Sequence, residues 1–161
     1  MKKWQQKSIA VFMAAACLFA GGTVGVSRDS LPQLQLTAEA ADIYIWESDG
    51  LQLKYKESDN GTVEITTFVD STSTDIELPA VIDGKSVTSI GSSAFFDCIN
   101  LTSITIPDGV TSIGNLTFSG CISLTNIRIP DSVMYIGEQV FYDCFSLTNV
   151  TIPDNITSIG L

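Results

Sequence analysis

The chain has 161 residues, enough for one domain, of which 45% are hydrophobic, and it contains no histidine. Its formal net charge is −10, and beyond residue 40 four basic side chains stand against sixteen acidic ones, a net charge of −12. A chain of this charge repels phosphate groups, which excludes nucleic acid and anionic membrane surfaces as expected partners.

The first 40 residues have the pattern of a secretory signal peptide. A basic start at residues 1–7 precedes an uncharged run at 9–26. Ala38 and Ala40 offer small residues to a signal peptidase, which predicts cleavage before Ala41. The length of the signal is typical of bacteria, above all Gram-positive ones, and indicates a secreted or cell-surface protein.

Two alternatives stay open for this segment. One is an uncleaved membrane anchor, although 18 uncharged residues are at the short end for a span and Gly21-Gly22 weakens a helix. The other is a lipoprotein box ending at Cys17, although the apolar run continues past this cysteine. Once the signal is cleaved, we expect no membrane insertion.

Residues 41–78 do not repeat, and they predict an N-terminal β cap. The stretches 42–46 and 51–56 alternate apolar and polar residues, as strands with one solvated face do. An Asn-Gly pair then marks a hairpin turn, and 62–69 follows as the returning strand. A hairpin of this kind would cover the first coil of a repeat and keep water from its core.

From residue 79 onward one motif recurs with a period of 23 residues. It begins Ile-Pro-Asp and continues to Val-x-x-Ile-Gly or a close variant, in copies that start at Ile106, Ile129 and Ile152. A looser copy starting at Leu78 is five residues longer. A fixed short period predicts a solenoid, because one such unit cannot bury its apolar face alone. Residues 79–161 therefore hold three full repeats and a truncated fourth, and we expect more repeats or domains after Leu161.

Each repeat predicts two short strands and a corner. Leu-x-x-Ile-x-Ile-Pro is a strand with alternate residues inward, ended by a proline that cannot continue the ladder. Val-x-x-Ile-Gly is a second extended piece, and the stretch after it is long enough for one helical or 3-10 turn. The aromatic and thiol columns of the predicted structural ladder are Phe95, Phe118 and Phe141, and Cys98, Cys121 and Cys144.

These recurring positions together resemble the BspA-type bacterial leucine-rich repeat, over residues 79–161. The segment before them is similar to the N-terminal cap of such repeats. The resemblance implies an α/β-type leucine-rich-repeat solenoid, right-handed and gently curved, of mostly short strands with brief helical or 3-10 turns. It also implies a secreted or surface-exposed protein, linked with adhesion to host proteins or other cells and without a catalytic site. One departure is Thr117, where a small apolar residue is expected (compare Ala94).

The cysteine column predicts buried free thiols rather than disulfides or a metal site. Equivalent side chains on stacked coils point the same way, and the chain has no Cys-x-x-Cys and no histidine ligand. Asp108, Asp131 and Asp154 form a second column, which could bind Ca²⁺ or belong to turns in which each Asp accepts backbone hydrogen bonds. We favour the turns, since one oxygen row supplies too few ligands, and predict no metal or cofactor.

No catalytic residue is predicted. A Ser-His-Asp arrangement is impossible without histidine, and neither a Ser-x-x-Lys motif nor a glycine-rich phosphate loop is present. The candidate ligand site is instead the outward face of the main strands, where short hydroxyl and amide side chains surround Arg128. An arginine there would anchor a carboxylate or stack on a ring. The predicted ligand-binding residues are Arg128, Asn126, Asn149, Thr105, Thr151 and Tyr135.

Two further readings of the surface stay open. The outward face of the main strands could be a solubilising surface that binds nothing. A set of large apolar residues flanks the corners and would either serve as contacts or tuck beneath the corner: Phe96, Ile99, Ile122, Tyr142 and Phe145.

The predicted function is an exported, non-catalytic binding or adhesion module for an extracellular protein or polysaccharide. The alternative is a structural spacer, or the substrate-recognition repeats of a larger extracellular enzyme or surface protein.

Overall fold

The structure, a computed structural model, describes residues 9–10, 43–69 and 72–160. The predicted signal peptide and its cleavage site therefore lie outside the described residues, apart from β1. The strands in chain order are β1 (Ile9–Ala10), β2 (Ile43–Ser48), β3 (Leu51–Glu57), β4 (Val63–Phe68), β5 (Asp75–Glu77), β6 (Val81–Ile82), β7 (Lys85–Ile90), β8 (Ser103–Thr105), β9 (Ser112–Ile113), β10 (Asn126–Arg128), β11 (Tyr135–Ile136), β12 (Asn149–Thr151) and β13 (Ser158–Ile159).

The strands form two sheets that run along the stack of coils. Sheet A contains nine strands, in the order β1-β2-β3-β4-β7-β9-β11-β13 with β6 paired beside β7, and sheet B contains four, in the order β12-β10-β8-β5. Sheet A is antiparallel from β1 to β4 and parallel from β4 to β13, and sheet B is parallel throughout. Successive repeats each add one strand to each sheet, which confirms the predicted solenoid of short strands.

The corner of each coil contains successive turns instead of a helix. The amides of Ser93, Phe95 and Asp97 donate to carbonyls of the next coil, each over 2.9 Å, and the amides between them close turns within their own coil. Ser93 and Asp97 have positive φ angles of 58° and 55°, which interrupt any right-handed helical run. The prediction of a helical or 3-10 turn, and with it the α/β class, is therefore wrong for the described residues. The handedness of the coil stays a prediction.

The core is a set of columns in which equivalent side chains touch across coils. Phe95 and Phe118 are fully buried and stack with ring centroids 5.4 Å apart, and Phe118 and Phe141 stack at 5.9 Å. The Phe95 ring also stacks on Phe68 at 5.4 Å. Packing of this kind supplies the burial that a single coil lacks.

The glycine that ends each Val-x-x-Ile-Gly unit is required by close backbone approach between coils. A Cβ added at Gly114 would lie 2.7 Å from the carbonyl carbon of Gly91, and one added at Gly137 would lie 2.6 Å from that of Gly114. The glycine column therefore marks a position where the backbones of successive coils approach too closely for a side chain, and any side chain there must push the coils apart.

The cap joins the solenoid through β4. This strand pairs antiparallel with β3 and parallel with β7, with Val63 opposite Val87 and Ile65 opposite Ile90. Farther along, Ile76 of β5 lies opposite Ile104 of β8. The ladders of both sheets thus run across the predicted boundary between cap and repeats at residue 78, and that boundary stays a prediction.

The five additional residues of the looser repeat form a small hairpin that holds the cap. Asp83 and Gly84 connect β6 to β7 with φ angles of 49° and 78°, as a tight hairpin turn requires. The Tyr55 hydroxyl of β3 donates to Asp83 over 2.6 Å, and Lys85 forms an ion pair with Glu57. The insertion therefore ties the first coil to the antiparallel cap.

Candidate binding surface

The outward side chains of β8, β10 and β12 form a flat polar surface, which we call the polar face. In the middle strand, Asn126 lies opposite Ser103 on one side and Asn149 on the other, and the Asn149 amide donates to the Asn126 carbonyl oxygen over 3.2 Å. Arg128 lies in the same way between Thr105 and Thr151. Five of the six predicted ligand-binding residues are therefore brought together, and all five are exposed.

A row of threonine hydroxyls borders the polar face and links the coils. The hydroxyls of Thr102, Thr125 and Thr148 donate to backbone carbonyls of the preceding coil, over 2.9, 3.2 and 3.1 Å. Because their protons are engaged, these hydroxyls can offer a ligand only acceptor lone pairs. This row supports the position of the strands and is a weaker candidate for direct recognition than the neighbouring amides.

Arg128 is the one cation of the polar face. It forms no ion pair with any residue that the structure describes, where the ion pairs are Lys56–Glu64 and Lys85–Glu57. Glu77, the acidic residue in its row of sheet B, lies two strands away, which is roughly 10 Å. At physiological salt the Debye length is about 8 Å, so Glu77 attracts the Arg128 guanidinium only weakly. The positive charge of Arg128 therefore remains available to a ligand.

Tyr135 does not belong to this surface. It lies on β11 in sheet A, between Ser112 and Ser158, and its side chain is 42% exposed. In the preceding coils the equivalent serines Ser89 and Ser112 share a hydroxyl hydrogen bond of 2.9 Å. The phenol of Tyr135 therefore interrupts a polar row on a different side of the coil and is separated from Arg128.

The apolar residues at the corners point into solvent and do not tuck beneath the turns. Their exposed fractions run from 41% for Ile122 to 80% for Phe145. We call this set the corner ridge, and its members are Phe96, Ile99, Ile122, Tyr142 and Phe145. Three of them, Ile99, Ile122 and Phe145, occupy equivalent positions on consecutive coils. Exposed large apolar side chains repeated in this way are typical of contact surfaces.

The three thiols of the column are free and lie beneath the corners. The Cys121 thiol donates to the Phe95 carbonyl over 3.2 Å, and the Cys144 thiol donates to the Phe118 carbonyl over 3.1 Å. The neighbouring Cys98 sulfur and burial raise the pKa of Cys121, and burial raises the pKa of Cys144. Cys144 is only half-buried, because less protein packs over it than over the cysteines of earlier coils.

We expect Cys121 to be alkylated by iodoacetamide more slowly than Cys144 in the folded full-length chain. Only the thiolate reacts, and burial together with a raised pKa keeps Cys121 protonated through neutral pH. Its rate should go on rising as the pH passes the ordinary cysteine value of 9.0, because the raised pKa lies above it. Peptide mass spectrometry after timed labelling measures each site.

The same labelling in guanidinium provides the control. Both cysteines should then react at equal rates, since burial is lost. If Cys121 reacted in the native protein as fast as Cys144, the buried thiol column would be wrong.

The aspartates after the prolines are exposed in turns closed by the backbone. The Val110 amide donates to the Pro107 carbonyl over 3.2 Å, and the Val133 amide donates to that of Pro130 over 3.0 Å. Within the described ranges, no group of three or more histidine, cysteine or acidic residues lies close enough together to hold a metal ion. Nor do those ranges contain a helix with the length and hydrophobicity that a bilayer crossing needs.

Sequence reasoning missed a cleft beside β5, at the cap end of sheet B. It has a volume of about 680 Å³ and is lined by Trp46, the turn 48–51 and the strand β5. No local motif marks it, because its two walls come from separate segments of the sequence.

Comparison with known proteins agrees with this geometry. The family model described as "BspA type Leucine rich repeat region" matches residues 62–161 with six copies. A leucine-rich repeat protein of T. pallidum is 29% identical with a TM-score of 0.65, over 67% of this chain and 50% of that one. One from Bacteroides ovatus is 34% identical with a TM-score of 0.63, over 68% and 30%.

A leucine-rich cell surface protein from Faecalibacterium prausnitzii is 25% identical with a TM-score of 0.50, over 70% of this chain and 34% of that one. No curated protein matches the chain. The chain spans half the length of the T. pallidum structure and under a third of the Bacteroides ovatus one. Since the family model covers more than half of the sequence and starts within the cap segment, the chain belongs to the BspA-type leucine-rich-repeat family.

Proposed function

We propose that this protein is an exported, non-catalytic binding module that engages an extracellular protein or polysaccharide through its polar face. The observation that supports this most directly is the in-register arrangement of Arg128 between threonines and beside paired asparagines on three consecutive strands. A rigid row of short polar groups around one unneutralised cation suits an extended ligand that carries carboxylates or hydroxyls.

The remaining support is chemical and comparative. The sequence lacks histidine, which removes the commonest general base. The N-terminal signal pattern agrees with export, and a solved relative is called a cell surface protein. A repeat-based binding or structural role is what the family membership supports.

We expect Arg128→Ala to lose retention on the ligand without loss of stability. The test is a panel of immobilised acidic polysaccharides, neutral polysaccharides and extracellular proteins, screened first with the full chain. Because Arg128 is exposed, truncation should leave the thermal midpoint within about 2 °C, whereas binding should fall roughly tenfold or more. Arg128→Lys keeps the charge but not the planar fork and should retain only part of the binding.

Lys54→Ala is the matched control, since it removes the same charge from the cap. It should leave retention unchanged. Equal losses in Arg128→Ala and Lys54→Ala would show a general charge effect, and a parallel loss of binding and thermal midpoint would make Arg128 a structural residue. Either result would contradict the proposal.

The second candidate is a spacer, or the substrate-recognition repeats of a larger surface protein or extracellular enzyme. It is favoured by one observation: the match covers 50% of the T. pallidum chain and 30% of the Bacteroides ovatus chain, so repeats of this kind occur within longer proteins. If the chain is folded but none of the immobilised polysaccharides or proteins retains it, the result would favour this second candidate.

A further inference from the structure

We propose that the cleft beside β5 is a second binding site, which takes an extended basic peptide as an added strand of sheet B. The site adjoins the polar face, with which it shares Thr105, but the proposal does not depend on the function proposed above. Its features are an open strand edge, an uncompensated acidic wall and an aromatic floor.

The first feature is the unpaired edge of β5. In the described part of the chain, sheet A continues beyond β4 into the cap, whereas sheet B ends at β5. The Ser103 amide donates to the Thr74 carbonyl over 3.1 Å, and the Leu78 amide donates to the Thr105 carbonyl over 3.0 Å. Since alternate residues of a strand direct their backbone groups to opposite edges, those of Asp75 and Glu77 point away from β8.

These outward backbone groups have no backbone partner among the described residues. An exposed edge of this kind is a template on which another strand can pair. The turn 48–51 forms the opposite wall, and the space between has a volume of about 680 Å³, within the range of 300–1,000 Å³ typical of binding clefts.

The second feature is charge. Asp75 and Glu77 are exposed at alternate positions of β5, and Asp49 lies in the opposite wall. No lysine or arginine of the described ranges lines the cleft. Three carboxylates without a counter-charge favour a cationic ligand and disfavour an acidic one. On an added strand, basic side chains at alternate positions would lie beside Asp75 and Glu77.

The third feature is the apolar floor. Trp46 and Leu51 line the cleft, and both are half-buried against the core. The indole nitrogen of Trp46 is shielded from solvent and has no hydrogen-bond acceptor in the parts of the chain that the structure describes. The inward residues of a guest strand would pack on the Trp46 and Leu51 side chains. The expected guest therefore alternates basic and apolar residues.

The test is fluorescence anisotropy at low ionic strength, with the full chain and a labelled, end-capped Lys-Val-Lys-Val-Lys peptide. We expect saturable binding that weakens with added salt. The double variant Asp75→Asn with Glu77→Gln preserves side-chain shape and should weaken binding about three- to tenfold, as loss of two solvent-screened ion pairs predicts. The matched control, Asp131→Asn with Asp154→Asn, removes equal charge from exposed turns of later coils and should bind as the parent does.

Backbone pairing has its own control. The same peptide with alternate amides N-methylated keeps its charges but cannot donate to a strand edge, so it should bind at least tenfold more weakly. Equal affinity for the methylated peptide would overturn the proposal, because binding would then be electrostatic only. Displacement of the peptide by the neutral sugar maltoheptaose, with no effect of the Asp75/Glu77 variant, would also overturn it and indicate a saccharide site. Arg128→Ala removes a cation two strands from Glu77 and should not weaken peptide binding, so failure of the polar-face function is distinguishable from failure here.

Discussion

Phe118→Ala is expected to lower the free energy of unfolding by about 3–5 kcal/mol, the range for deleting a fully buried phenylalanine. The ring lies between two others, with centroids 5.4 Å from Phe95 and 5.9 Å from Phe141. Because hydrogen-bonded coils hold both neighbours in place, the cavity cannot collapse and the cost should fall in the upper part of that range. Total stabilities are about 5–15 kcal/mol, so this change removes a large share. Urea denaturation followed by circular dichroism measures it.

Phe145→Ala is the matched control for this substitution. It makes the same chemical change four residues beyond the next ring of the stack, at a side chain that is 80% exposed. We expect it to change the free energy of unfolding by less than about 0.5 kcal/mol. If the two variants were equally destabilised, or if Phe118→Ala were harmless, the aromatic column would not be what holds the coils together.

Gly114→Ala is expected to destabilise the protein by about 3 kcal/mol, at the upper end of overpacking costs. The added methyl group would lie 2.7 Å from the carbonyl carbon of Gly91, where the obstructing atoms are backbone and cannot rotate away. The two coils must therefore separate, which weakens the ladder bonds beside them, among them the 2.8 Å bond from the Gly114 amide to the Ile90 carbonyl. Urea denaturation provides the measurement.

Gly109→Ala separates this steric effect from the general effect of replacing glycine. Neither glycine has a left-handed backbone, and a Cβ at Gly109 would meet only the Val87 carbonyl oxygen, at 3.3 Å. Loss of unfolded-state entropy favours alanine by about 0.4–1 kcal/mol where the backbone tolerates it. We therefore expect a change within about 1 kcal/mol for Gly109→Ala. If Gly114→Ala and Gly109→Ala lowered the free energy of unfolding by similar amounts, the close approach of the coils at the glycine column would be refuted.

The two proposed binding surfaces carry charges of opposite sign. The polar face presents Arg128 as its one cation, whereas the cleft beside β5 presents Asp49, Asp75 and Glu77. Both belong to sheet B, at its middle and at its cap end. A ligand of one charge sign therefore distinguishes the sites: the Asp75/Glu77 variant should weaken binding of a cationic ligand, and the Arg128 variant should weaken binding of an acidic one.

The corner shows why periodicity alone did not predict local conformation. The sequence determined which residues are equivalent from coil to coil. It did not show which carbonyls accept hydrogen bonds from the backbone amides between the glycine and the cysteine. In the structure, alternate amides such as those of Phe95 and Asp97 bond to the next coil. A helical turn would direct those amides into its own coil and leave the neighbouring carbonyls without donors. Pairing between coils therefore decided against the helix.

The sequence by itself determined the solenoid, the identity of its core columns and the five polar-face residues that lie together, because a period of 23 residues places equivalent side chains on one side of every coil. The tertiary structure alone decided two other features: the exposure of the corner ridge, and the cleft between the turn 48–51 and β5. Each of these depends on how different segments and separate sides of the coil meet in space. A periodic sequence pattern predicts contacts between equivalent residues of successive coils. Contacts between segments of different sequence produce no such pattern, so the sequence does not predict them.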